Sequence, residues 1–196
     1  MGNLLQDPGT AAELASLQQV IEIADKISSF ERLANIVDAD LAALDSDKIP
    51  SDWRDGAIRG ELRFGFADAH GSIPKVTGSA TAVVDAVCQR CLEPFSLKLR
   101  IEPQLLLLQA DDAAEGYDDH EVWELDEQSF KPQDIVEELL IMAMPLAAMH
   151  GNVDECKALV STGHSQRADS DDSEEDLVRP FAALRKQMTQ NEKDPD

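Results

Sequence analysis

The chain has 196 residues, with 17 Lys and Arg against 39 Asp and Glu and a formal net charge of −22 at pH 7. That balance excludes broad, nonspecific binding to nucleic acid, because phosphate repels a polyanion unless its cations are segregated onto one surface. An apolar share of 43% supports one hydrophobic core, and three cysteines, an odd number, do not make a disulfide framework.

Residues 1–18 are rich in Ala, Gln and Leu around Pro8 and Gly9 and read as a flexible lead-in. The first basic residue is Lys26, so no charged stretch of secretory type opens the sequence, and Gln6 stands where a myristoylation motif after Met1-Gly2 wants Ser or Thr. The expected location is the reducing cytoplasm. A short strand over residues 20–23 should lead into a helix capped by Ser28 or Ser29, with Leu33, Ile36, Val37, Leu41 and Leu44 at helical spacing. DSDKIPSDWRDG, residues 45–56, is a polar connection.

AIRGELRFGFAD then alternates, placing Ile58, Leu62, Phe64 and Phe66 on one face and Arg59, Glu61 and Arg63 on the other. IPKVTGSATAVVDAV predicts a second strand running into Cys88. SLKLRIEPQLLLLQ predicts a third, with Leu97, Leu99 and Ile101 facing inward and Ser96, Lys98 and Arg100 outward. Short turns between these strands imply an antiparallel β-meander with Cys88 and Cys91 in its last turn. The acidic stretch at residues 110–128 reads as a solvated loop with a short strand at residues 122–125.

KPQDIVEELLIMAM carries the strongest helix pattern. Pro132 lies in the first turn, Asp134, Glu137 and Glu138 lie early, and Ile135, Val136, Leu139, Leu140 and Ala143 form a stripe that Pro145 ends. Glu137 and Glu138, as helix neighbours, are not expected to converge on one site. The apolar run at residues 139–149 is too short to cross a bilayer. Residues 161–176 read as an acidic linker, and residues 177–196 as a short helix and frayed tail. The expected fold class is α+β: an antiparallel β-meander packed with an N-terminal helix and an amphipathic helix in the C-terminal half, with acidic flexible segments. A single domain is expected over residues 19–160.

Cys88 and Cys91 form a CxxC in a tight turn, which can present two thiolates to one ion. The nearest complementary donors are His150 and Cys156, in HGNVDEC after the helix. Three readings follow in rank order: reduced packing cysteines, a zinc centre of Cys88, Cys91, His150 and Cys156, and a redox pair. The last lacks the helix N-terminus that lowers a thiol pKa. Arg59, Arg63, Arg90, Lys98 and Arg100 would form one positive patch for RNA if the meander joins their faces. The alternative is a solvated face with ion pairs to Glu61 and Glu102. His70, His120 and His164 have no nucleophile beside them, and there is no Walker, GxGxxG or nucleophile-elbow pattern, so no catalytic constellation is expected.

CQRCLEPF after a strand, DIVEELLIMAMPLAAMH, DEC and the late PFAALRKQM together resemble the YceD family of large ribosomal RNA subunit accumulation proteins, over roughly residues 18–190. Carried over position by position, the resemblance marks Cys88, Arg90, Cys91, Glu138, Leu139, Leu140, Pro145, His150 and Cys156. Some relatives carry further cysteines in the C-terminal segment, where this chain has only Cys156. The resemblance implies a ribosome biogenesis factor and not an enzyme. Its expected partner is large-subunit pre-ribosomal RNA, or a basic ribosomal protein held by the acidic segments at residues 111–127 and 169–176. A zinc-binding or thiol-redox protein with a catalytic or sensing role is the rival from another class.

Overall fold

The computed structural model describes residues 3–109, 121–125 and 129–156. The chain divides into two units, Met1–Ser161 and Thr162–Asp196, and every described residue lies in the first. The acidic linker and late helix read from residues 161–196 lie outside the described residues, as do residues 110–120 and 126–128 of the acidic stretch.

The fold is α+β. Strands β1 (Val20–Lys26), β2 (Ala57–Phe66), β3 (Pro74–Val87), β4 (Pro94–Ile101), β5 (Gln104–Gln109) and β6 (Glu121–Leu125) join helices α1 (Ala11–Ser16), α2 (Glu31–Leu41) and α3 (Pro132–Met142). All six strands form one sheet of order β1-β2-β3-β5-β6, with β4 also paired to β3. β1 to β4 are antiparallel to their neighbours, as alternation predicts. Their inward residues, among them Ile21, Ile23, Ile58, Leu62, Val76, Val84 and Leu99, join Leu33 and Val37 of α2 and Ile135 and Leu140 of α3 in one core.

Two features depart from a simple meander. The predicted third strand is broken after Ile101 into β4 and β5, both on the same edge of β3. Pro103 sits in the break, where its missing N–H cannot serve a ladder. β5 then pairs in parallel with β6. Leu105, Leu106, Leu107 and Leu108 are all buried, which a strand solvated on one face cannot achieve.

Within the segment read as a lead-in, Ala11–Ser16 form helix α1. Thr10 and Glu13 close a capping box at the start of α1, and Leu5, Ala11 and Ala15 are buried. Gly9 and Phe130 exchange backbone hydrogen bonds of 3.0 Å, and Gln133 N–H donates to the Leu5 carbonyl at 2.9 Å. The segment is held by backbone pairing to residues far along the chain, which its own apolar content does not reveal.

The predicted serine cap is also replaced. The N-cap of α2 is the buried Phe30, without a side-chain cap, and the Ser29 hydroxyl donates to Asp25 instead. Glu137 of α3 does the capping: its Oε1 accepts from the N–H groups of Arg32 (2.7 Å) and Leu33 (3.1 Å). A carboxylate there meets both unsatisfied donors and the positive end of the helix dipole. Arg32 completes the arrangement, its Nε 3.3 Å from Glu137 and its Nη2 2.7 Å from Glu138, so the two acids do meet on one partner.

Glu137 is only 6% exposed, and losing it leaves buried donors unpaired. Glu137→Ala is expected to destabilise the fold by about 2–3 kcal/mol in chemical denaturation, Glu137→Gln by less because its amide oxygen still accepts. Glu138→Ala, at a half-exposed pair, should cost at most about 1 kcal/mol.

Candidate metal centre and basic sheet face

The β3–β4 connection is a closed turn. Cys88 N–H donates to the Glu93 carbonyl at 3.0 Å and Leu92 N–H to the Cys88 carbonyl at 2.8 Å. Leu92 adopts φ +57°, a left-handed conformation that costs a non-glycine residue about 1–2 kcal/mol. The turn is fastened from two sides. Lys48 pairs with Glu93 at 2.7 Å, and Asp40 of α2 accepts from Val87 N–H at 2.8 Å. On the other side Gln89 N–H donates to the Ala148 carbonyl at 2.8 Å, bringing in the segment that follows Pro145.

That segment delivers His150 and, after a short 3-10 turn at Val153–Glu155, Cys156. The ligand atoms of Cys88, Cys91, His150 and Cys156 all lie within 4.8 Å of one another. Cys88 Sγ and Cys156 Sγ are 3.9 Å apart, and His150 Nδ1 is 3.5 Å from Cys91 Sγ and 3.6 Å from Cys156 Sγ. Donors on a tetrahedron at zinc bond lengths stand about 3.8 Å apart for two sulfurs and about 3.6 Å for sulfur and nitrogen. Three of the donor pairs stand at the spacing of a tetrahedral ion, and the whole set is close enough to share one. The Phe95 ring lies against the His150 imidazole, with centroids 4.7 Å apart, and fixes its plane.

The electrostatics agree with the spacing. Burial opposes ionisation of Cys88, but the backbone N–H groups of His150, Cys91 and Arg90, with the His150 ring, outweigh it and hold that thiol below its ordinary value. Cys156 is pushed up, by burial first and then by Cys91 and Cys88. Within such a set one thiolate suppresses the next, and a divalent cation is the charge that would let all three ionise. Three thiolates and a neutral imidazole on a divalent ion would carry one net negative charge. Arg90 faces it, with Nη1 3.8 Å from Cys156 Sγ and Nη2 3.8 Å from Met149 Sδ.

Of the five cations read as an RNA patch, the fold brings four together. Arg59, Arg63, Lys98 and Arg100 all stand on the outer face of the sheet and are exposed; Arg90 is half-buried at the cysteine turn. The strand register sets Ala24, Arg59, Thr81 and Arg100 in one row across β1 to β4. Arg63 is paired with Glu61 at 2.6 Å and Arg100 Nε with Glu102 at 2.8 Å, the two acids named from the sequence. Lys26 and Lys75 share this face, giving six cations; the acids on it or paired at it are Glu22, Glu61, Asp85, Glu102, Glu124 of β6 and Asp55, which meets Lys26 at 2.7 Å, so 6 − 6 = 0. On a chain of −22 that is a marked segregation. Sequence reading missed Lys26 and Lys75 there, and also Asp40 and Lys48 as supports of the turn, none of which belongs to a local motif; Phe95 closes CQRCLEPF but was given no role.

A family model described as large ribosomal RNA subunit accumulation protein YceD matches residues 76–186, more than half of the chain and all four cluster residues. The chain belongs to the YceD family. The family description ties it to accumulation of the large ribosomal subunit RNA. No curated protein and no solved structure matches the chain. Among the described residues, no helix is long and apolar enough to cross a membrane.

Cobalt(II) added to the metal-free protein is expected to give the d–d absorption of a tetrahedral site with thiolate charge-transfer bands. Cys156→Ser should weaken the charge-transfer intensity and lower affinity by at least about tenfold. An octahedral spectrum in the wild type would show that the four side chains do not act together.

Proposed function

We propose that this YceD family member is a non-catalytic ribosome biogenesis factor of the cytoplasm that contacts large-subunit pre-ribosomal RNA through the outer face of β1 to β4. The observation that carries the reading is the row of Arg59, Thr81 and Arg100, aligned by register on an open face where cations balance acids although the chain carries −22. Arg59, Arg63, Lys98 and Arg100 would neutralise phosphates, and Thr77, Ser79 and Thr81 between them offer hydroxyls to phosphate and sugar oxygens. The acidic remainder would keep the contact salt-sensitive and short-lived.

Zinc at Cys88, Cys91, His150 and Cys156 fits this role as a structural clasp. It would tie the end of the β3–β4 arm to the segment after α3 and hold Arg90 at the rim. The donor set and spacing favour a closed site of this kind over a redox pair, which needs a helix N-terminus that this strand-to-strand turn lacks. A second reading, chaperoning of a basic ribosomal protein, draws its support from the net charge of −22.

Fluorescence anisotropy on a large-subunit RNA fragment, repeated over a range of salt, tests the first reading. Arg59→Glu combined with Arg100→Glu is expected to weaken binding at least about tenfold and to flatten the slope of log affinity against log salt by about 1–2. Unchanged affinity and slope, with tight binding of a basic ribosomal protein, would transfer the function to the second reading.

A further inference from the structure

β1 is an edge strand: among the described elements it pairs only with β2. The ladder alternates, and Phe64 N–H donates to the Gln19 carbonyl at 2.9 Å. Ile21, Ile23 and Asp25 therefore turn their backbone groups to β2, while Val20, Glu22, Ala24 and Lys26 turn theirs away. Two local bonds agree: the Val20 carbonyl accepts from the Gln19 side chain at 3.1 Å, and Lys26 N–H donates to the Asp25 carboxylate at 2.9 Å. All four outward-bonding residues are exposed, and Val20 is a large apolar side chain 46% exposed. The adjoining surface is an open trough between Glu22, Ala24, Lys26, Ala57, Arg59 and Gly60. The edge can template another strand through Glu22 and Ala24, with the Lys26 N–H exchanging its Asp25 bond for one to the new strand.

We propose that the strand it takes is β1 of a second copy of this chain, antiparallel and centred on Ala24. Charge selects both occupant and register. Only residues with outward backbone groups can face one another. Centring the pair on Glu22 would oppose the two Glu22 carboxylates, and the intermediate register leaves Lys26 opposite Val20. Centred on Ala24, Glu22 of each copy faces Lys26 of the other, twice, with only the small Ala24 side chains at the axis. Lys26 already meets Asp55 at 2.7 Å, but both groups are largely exposed and an ammonium has three donors, so a second carboxylate can be accommodated.

The pairing would turn two six-stranded sheets into one continuous sheet. Because Ala24 lies in the row of Arg59, Thr81 and Arg100, the row would run unbroken through the axis. At a strand spacing of about 4.8 Å the two Arg59 side chains would stand roughly 14 Å apart on one face. The functional part of this inference rests on the RNA reading above; the pairing itself does not. Each copy carries −22, so association is expected to tighten as salt screens that repulsion, whereas RNA binding weakens.

Sedimentation equilibrium from micromolar concentration upward, in moderate salt, is the test. The wild type should show a monomer–dimer equilibrium. Glu22→Lys and Lys26→Glu should each weaken it at least tenfold, and an equimolar mixture of the two variants should restore it as a heterodimer. Ala24→Pro should abolish it, with circular dichroism confirming that each variant is folded. A strictly monomeric wild type, variants that dimerise like the wild type, or a mixture that fails to recover would each overturn the pairing. Wild-type monomers that bind RNA would leave the RNA reading standing, while dimers without RNA affinity would remove that reading and keep the pairing.

Discussion

β3 is the constraint on which the other elements depend. Its fourteen residues bond to β2 on one edge and to β4 and β5 in succession on the other. The β2 pairing ends at Ala82, so from Val83 onward β3 continues with β4 alone. Two-stranded ribbons are marginal in water. The cysteine turn lies at the tip of this ribbon and needs fastening from outside the sheet. It receives it from Asp40, Lys48 and the 148–156 segment. The cysteine–histidine cluster is thus the last link in a chain of supports around the end of this ribbon, where Val84, Ala86, Val87 and Cys88 are buried.

Charge is the second organising quantity. The acids of this chain are not uniformly solvated. Glu137 is buried to finish a helix in another part of the fold, Glu138 helps hold Arg32, and Glu61 and Glu102 sit beside arginines on the sheet. The outer face nevertheless escapes the acid excess of the chain, because the inward-pointing alternate residues are apolar and the outward ones carry most of the described Lys and Arg. β pairing concentrates charges that are dispersed in sequence, since each strand contributes the same side of its alternation to the same face. Gly60 and Gly78 let β2 and β3 approach closely there: a Cβ on either would strike the Ser79 or Glu61 carbonyl oxygen.

Strands β2 to β4 were legible because each is half-buried and alternates, β1 only over the first four of its seven residues, and α3 because proline, early acids and an apolar stripe coincide. The CxxC was visible as a motif, and His150 and Cys156 as candidate donors, but the sequence ranked packing cysteines ahead of a metal centre. Their convergence depends on where Pro145 sends the chain after α3. α1 was missed although TAAE, residues 10–13, is a capping-box pattern, because a short helix with few large apolar residues resembles a loose segment. β6 was seen as a short strand, but its parallel pairing with β5 was not, because that depends on the chain's path between them.

The sequence by itself determined the class of the protein, its alternating strands, its excess of acid, its candidate ligands and its family, all of which are local or compositional. Only the tertiary structure decided that four candidate donors lie within 4.8 Å of one another and that Arg59, Thr81 and Arg100 stand in line. It also decided that Arg90 turns to sulfur and that a carboxylate of α3 caps α2 from 105 residues away. These are relations of register and packing, and they depend on which segments the hydrophobic core brings together.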